Sequence, residues 1–389
     1  MPVNGERLSP LEMLARLVAF DTESDKPNLA LIDAVCAYLD GWGVPYRRFP
    51  NAAGEKAAVF ATLGPMVDGG VVLSGHTDVV PVTGQLWTSD PFTLRVADGR
   101  AYGRGAVDMK GFLALGLALV PEMLTAGLDR PIHLLLSYDE ETTCLGSMDA
   151  IARFGEDLPR PSACLVGEPT GLDVADAHKS IVTCLTTVHG REAHSSRPEL
   201  GANAVSAACD LVAALNGIAD RMIERGDASG RFDPPATTIH VGTIQGGTAR
   251  NILARECHFH WEYRGLPDLD PTEIPRLFAQ ASDEVTARRL NRYGAFGRIE
   301  TLEEVAIPGL APDPGSEAER LALRLAGRNR TVAMPYATEA GRFQGAGIPT
   351  VVCGPGDIAQ AHQPDEFITL EALAAGEAFL RRLIAECAP

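Results

Sequence analysis

Basic residues are in short supply. The chain holds 34 Lys and Arg against 51 Asp and Glu, a formal net charge of −17. Nucleic acids and anionic membranes are held by basic patches, so this deficit argues against both as partners. Paired cysteines are also missing. Cys36, Cys144, Cys164, Cys184, Cys209, Cys257, Cys353 and Cys387 lie scattered, with no Cys-x-x-Cys spacing. A disulfide framework or thiolate zinc site is therefore not expected, and a reducing cytoplasm fits. No hydrophobic run is long enough to span a bilayer. The longest apolar stretch, 112–124, is interrupted by Gly116, Pro121 and Glu122. Residues 1–10 carry no apolar core of a secretory leader, so none is expected. Internal repeats and low-complexity tracts are absent as well.

What remains is a chain of 389 residues, 46% apolar and 22% charged. That length points to two domains, and that composition supports a sizeable core. The most informative stretch is Val71-Val72-Leu73-Ser74-Gly75-His76-Thr77-Asp78. It reads as a short buried strand in which Gly75 frees the backbone before a polar loop. His76 can offer one imidazole nitrogen to a metal, and Asp78 is placed to hold the other.

Along the chain, helices are expected over 10–20 and 29–42, then strands over 46–49, 57–62 and 71–74. A turn of three glycines presents Asp108 at the start of a helix over 112–124. Strands over 132–138 and 163–166 end in Asp139-Glu140-Glu141 and Gly167-Glu168-Pro169. This alternation argues a layered α/β domain. From 178 the pattern changes to strand 181–189, helix 202–223, strands 237–244 and 252–263, helix 271–290 and strand 298–305. That is β-α-β-β-α-β, a split-βαβ sheet domain. A linker at 309–315 returns the chain to α/β character, with a helix over 317–326, a turn over 344–349 and a strand over 350–353. The tail is compatible with a plain helix. The fold class is therefore α/β: a mixed-sheet catalytic domain with helices on both faces, carrying an inserted α+β domain. The boundaries read as 1–177, 178–308 and 309–389.

His76, Asp78, Asp108, Glu140, Glu141, Glu168 and His362 all fall at or beyond such strand ends, or open a helix. Parallel neighbouring strands would gather them on one edge. Five carboxylates in one cleft repel strongly, and divalent cations resolve this. Nitrogen and oxygen donors without thiolate suit zinc, with cobalt or manganese as alternatives. Two ions balance a subset well: His76, Asp108, Glu141, Glu168 and His362, with Asp108 bridging. Glu140 then remains as a free general base, and Asp78 as the partner of His76. His133, inside a strand, reads as core, and His258 and His260 read as structural.

Ser-Gly-His76-Thr-Asp78-Val-Val-Pro, Gly-Arg-Gly-Ala-Val-Asp108-Met-Lys-Gly, Asp-Glu140-Glu141-Thr and Gly-Glu168-Pro-Thr together resemble the di-zinc aminoacylase/carboxypeptidase metallopeptidase family. The motifs Ala177-His178-Lys179, Thr338-Glu339-Ala340-Gly341 and Ala361-His362-Gln363-Pro364 look most like a branch that deacetylates an N-acetyl amino acid. The resemblance implies an amidohydrolase with two metal ions per subunit. His76 and Glu168 would complete one ion's set and Glu141 and His362 the other's, with Asp108 between them and a cis peptide after it. It also implies a homodimer in which the inserted domain is lid and dimer contact. His194 would stabilise an oxyanion in the partner's site, and Asn251 and Arg264 would bind the substrate's carboxylate end. Ala254, Glu262 and Tyr263 depart from the family's usual lid residues. Glu339, in an expected loop, is a candidate to pair with a cationic substrate side chain. Rival readings are a desuccinylase or dipeptidase of the same family, or an inactive metal-binding scaffold.

Overall fold

The computed structural model describes residues 5–389. Two compact units emerge. The larger comprises residues up to 177 with 312–332 and 338–389; the smaller comprises 178–311 with 333–337.

An eight-stranded mixed sheet organises the larger unit. Its order is Tyr46–Pro50, Ala57–Leu63, Ile132–Ser137, Val71–His76, Ala163–Pro169, Thr350–Gly354, Val174–His178 and Thr331–Met334. Val71–His76 pairs in parallel with Ile132–Ser137 on one side and Ala163–Pro169 on the other. Thr350–Gly354 is parallel to Ala163–Pro169, so four neighbouring strands point the same way. Each of these four is buried along its whole length, as expected when both faces are covered. Helices Pro10–Val18, Leu29–Trp42, Lys110–Ala118, Glu317–Ala326 and Leu370–Cys387 share one apolar core with the sheet.

Local sequence explains several boundaries. Ser9 caps the first helix in a capping box with Glu12, and Ser316 caps Glu317–Ala326. Gly43 and Gly327 end their helices in the left-handed region. The single helix expected over 112–124 is instead two, Lys110–Ala118 and Val120–Thr125. Pro121 has no N–H for the Leu117 carbonyl, which accepts from Tyr38 Oη at 3.1 Å instead.

Strands Val174–His178 and Thr331–Met334 were not expected, nor was a small three-stranded sheet. That sheet joins Arg95–Ala97, Arg100–Tyr102 and Phe367–Thr369. Short strands of three to five residues leave too little alternation to see. Gly75 also plays a different part from the one expected. A Cβ there would lie 2.7 Å from Met109 Cε and 2.9 Å from Leu113 Cδ2. Its missing side chain admits the helix beside Asp108.

The smaller unit is a four-stranded antiparallel sheet, ordered Thr238–Gly246, Glu256–Arg264, Ile181–His189 and Arg298–Ile307. Helices Ala204–Arg225 and Glu273–Val285 pack into its core. The second is shorter than the helix expected over 271–290 and continues as a π-turn, Thr286–Leu290. Ile181–His189 alternates buried and half-buried residues, the signature of a sheet with one covered face. Among the described residues no helix is long and apolar enough to cross a membrane.

Candidate metal centre

The parallel strands bring His76, Asp108, Glu140, Glu141, Glu168 and His362 to one sheet edge. His76 and Glu168 lie within their strands, at or near the C-terminal ends, a little earlier than the sequence placed them. Glu140 and Glu141 follow Ser137 across a tight turn in which Asp139 adopts φ 57°. Asp108 precedes a cis peptide to Met109 at the head of Lys110–Ala118.

Asp108 stands between the two imidazoles. Its Oδ1 lies 3.1 Å from His76 Nε2, and its Oδ2 lies 3.2 Å from His362 Nε2. Glu168 Oε1 is 3.5 Å from His76 Nε2, and Glu141 Oε2 is 3.1 Å from His362 Nε2. Two triads result, His76–Asp108–Glu168 and Asp108–Glu141–His362, in each of which the ligand atoms are within 4.8 Å of one another. Glu140 belongs to neither. Its Oε2 is 3.9 Å from His76 Nε2.

The charges explain what such a site demands. Burial alone would lower the His76 pKa, but Asp108 and Glu168 beside it push it well above its usual value. Burial would raise Asp108, yet hydrogen bonds from His362 and His76 hold it well below the carboxylate range. Glu141 and Glu168 rise to about 7, through burial first and the Asp108 charge second. Glu140 is raised well above its usual value by burial and by Glu168. Hydrogen bonds from its ring to the Asp108 and Glu141 carboxylates raise His362 to about 10. Glu168 Oε1 is buried without a hydrogen-bond partner, as a ligand atom awaiting a cation would be. The oxygen and nitrogen donor set thus fits two divalent ions.

Asp78 does not hold His76 in the way expected. Its backbone carbonyl accepts from His76 Nδ1 at 2.8 Å, while its carboxylate Oδ1 is 3.6 Å away. The carboxylate accepts instead from the backbone N–H of Glu140 at 3.2 Å, of Glu141 at 3.3 Å, and from Ser24 Oγ at 2.8 Å. Asp78 therefore fixes the Glu140–Glu141 turn as well as the His76 ring.

Glu339 also needs correction. It is not a loop charge: it is 1% exposed and precedes the helix Ala340–Gly345. Its Oε1 accepts from Ser74 Oγ at 2.6 Å, two residues before His76. Burial raises its pKa. The Glu339 carboxylate is thus tied to the His76 strand through one oxygen, while its Oε2 is buried without a hydrogen-bond partner. Cys144, which no sequence pattern marks, has its Sγ 3.3 Å from the Glu140 carbonyl and 3.4 Å from Glu140 Oε1. No spacing rule marks it, because a thiol beside a carboxylate is a tertiary contact.

In the smaller unit, His194 is exposed, with Nδ1 2.7 Å from Ser196 Oγ. The Asn251 carbonyl accepts from Ser195 N at 3.0 Å, so the His194 and Asn251 segments adjoin. Arg264 closes its strand with Nε donating to Glu262 Oε1 at 3.0 Å. His133 is buried, with Nδ1 3.0 Å from Thr62 Oγ1 and its ring stacked on Phe60. His260 Nδ1 bonds Thr243 Oγ1 at 3.0 Å.

The chain is similar in sequence and in fold to known proteins. Residues 72–386 match the model of peptidase family M20/M25/M40. An acetylornithine deacetylase of Proteus mirabilis is 35% identical over 354 residues, 90% of this chain and 88% of that protein. One of Pasteurella multocida is 33% identical over 383 residues, 97% of each chain. Among solved structures, an M20 family metallo-carboxypeptidase of Sulfolobus solfataricus superposes with a TM-score of 0.74 at 19% identity, covering 97% of this chain and 98% of its own. An aminopeptidase of Bacillus cereus gives 0.73 at 19% identity, covering 98% and 100%. With the family model spanning most of the sequence and the paired triads in place, the chain belongs to peptidase family M20/M25/M40.

Proposed function

We propose that the chain hydrolyses the amide of N2-acetyl-L-ornithine to L-ornithine and acetate, a step of arginine biosynthesis, as a cytoplasmic homodimer holding two zinc ions per subunit. Cobalt and manganese suit the same donors. The observation that carries the hydrolytic reading is Asp108 shared between two triads with Glu140 free beside them. The substrate follows the name carried by relatives that match nearly the whole chain.

Dications held by His76, Asp108 and Glu168, and by Asp108, Glu141 and His362, would lower the pKa of water and polarise the scissile carbonyl. Glu140 takes a proton from the attacking water and delivers it to the leaving nitrogen. The C–N bond breaks as the new C–O bond persists, and the acid's remaining proton ends on the freed amine. Asp78 holds the base in place through the backbone N–H of Glu140. Asn251 and Arg264 are proposed to take the substrate's carboxylate end. His194 is proposed to stabilise the oxyanion in the other subunit of a dimer formed through the inserted domain. The all-free cysteines suit a reducing compartment.

A hydrolysis panel of acetyl- and succinyl-amino acids tests the substrate. Acetylornithine should lead it; a preference for a succinylated substrate or a dipeptide would overturn that assignment. For His194, inactive His194→Ala and Glu140→Ala subunits are mixed and allowed to exchange. Half the dimers become mixed, each with one intact site, so about a quarter of wild-type activity should return. Confirmed exchange with no recovery removes the role across the interface.

A further inference from the structure

Two ligand-bearing segments of the larger unit, the Asp108 turn and the His362 loop, are far apart in sequence and locked together by buried polar bonds. Glu366, four residues after His362, is 1% exposed. Its Oε1 accepts from the backbone N–H of Val107 at 3.0 Å and of Asp108 at 3.2 Å. Its Oε2 accepts from Arg104 Nη1 at 2.7 Å, and Arg104 is also 1% exposed. Arg104 Nη2 donates in turn to Gln85 Oε1, and Gln85 Nε2 donates to the His362 carbonyl at 2.9 Å. The circuit thus closes: Asp108 backbone, Glu366, Arg104, Gln85, His362 backbone.

The loop it grips is wound tightly. His362 has φ 62° and Asp365 φ 56°, both in the left-handed region that residues with a Cβ rarely adopt. Such a conformation persists only where surrounding bonds over-determine it. The bonds are present at both positions. Gln85 holds the His362 carbonyl, and Asp365 Oδ1 accepts from Thr88 N and Thr88 Oγ1, each at 2.9 Å. Beyond Glu366 the pairing of Phe367 with Tyr102 continues the link into the small sheet. By contrast His76, the imidazole of the other triad, is fixed by its own strand and by the Asp78 carbonyl.

We infer that Gln85, Arg104 and Glu366 form a positioning frame for His362, setting the affinity of the Asp108–Glu141–His362 triad for its ion while leaving the His76 triad largely independent. None of the three is proposed as a ligand or a reacting group. Outer groups that orient metal ligands typically carry about 10- to 100-fold in affinity. The inference rests on the two-ion reading above.

The test is metal binding, read without substrate. Wild type, Gln85→Ala, Glu366→Gln and Arg104→Lys are stripped with chelator and titrated with cobalt, following uptake by absorption and by equilibrium dialysis. Wild type should bind two ions. In Gln85→Ala one of the two should bind about 10- to 100-fold more weakly, with the other unchanged; Glu366→Gln, which also touches the backbone of the shared Asp108, should weaken that same ion more than the other. Arg104→Lys keeps the charge and loses the fork, so its loss should be smaller. Gln85 is only half-buried, so Gln85→Ala decides the matter if Glu366→Gln fails to fold. Equal weakening of both ions, or wild-type affinity for both in Gln85→Ala, overturns the frame. A wild-type chain that takes up fewer than two ions removes the two-ion reading itself, and the frame with it.

Discussion

The two triads share Asp108 and little else. In one, every side chain is buried, and His76 is 1% exposed. In the other, His362 is 52% exposed, and Asp108 supplies the buried partner. The enclosed triad takes His76 and Glu168 from adjacent parallel strands, so the ladder that makes the sheet also sets two of its three ligands. The open triad takes its histidine from a loop bent through two left-handed residues and held by side chains. Placement by a sheet is inseparable from folding. Placement by a loop is a separate, weaker commitment, which a few polar bonds decide.

The largest effect should come from removing what the triads share. Asp108→Ala is expected to lose both ions and to fall to background activity; elemental analysis that still finds two ions per chain would show that the carboxylate does not join the triads. Next is Glu140, which belongs to neither. Glu140→Gln should keep both ions while activity drops by at least about a hundredfold. Full activity in the metal-loaded variant refutes the base assignment.

The histidines themselves sharpen the contrast in stability. In metal-free protein, His76→Ala removes the buried partner of Asp108 and Glu168 and should cost about 3 to 5 kcal/mol. His362→Ala removes a half-exposed, solvent-screened partner and should cost under about 1 kcal/mol. Urea denaturation of both variants measures the difference, and equal losses would erase it.

A third histidine, His133, isolates burial from charge. Like His76 it is fully buried, but on the neighbouring strand Ile132–Ser137 and at the opposite end of the pairing, against Val72. Burial pushes its pKa down to about 4 from an ordinary 6.5. Folding therefore favours its neutral ring. That contribution is complete above pH 6.5 and is lost as pH falls from 6.5 toward about 4. Relative to His133→Gln, wild type should lose up to about 3 kcal/mol across this window. A stability difference that stays constant with pH would show that the ring is solvated.

Much of this was legible in the residues. The apolar runs before His76, Glu140 and Glu168 marked buried strands, and a row of carboxylates at their ends required cations. The strand expected over 181–189 is present as Ile181–His189. Less was legible where contact is distant in sequence. Glu339 looks like a loop charge until Ser74, 265 residues away, is found against it. Asp78 looks like a clamp for its neighbour His76, but its carboxylate turns to the Glu140–Glu141 backbone 62 and 63 residues on.

By itself the sequence determined the longer elements and the chemistry of the ligand set, because hydrophobic period and donor type are local properties of residues. Tertiary structure decided which oxygen of Asp108 meets which histidine, that one triad is enclosed and the other open, and that Arg104 and Glu366 meet at all. Those outcomes depend on strand order, on close approach at Gly75 and on a loop held against its own preference. Each is set by packing among segments far apart in the chain, where no local pattern records it.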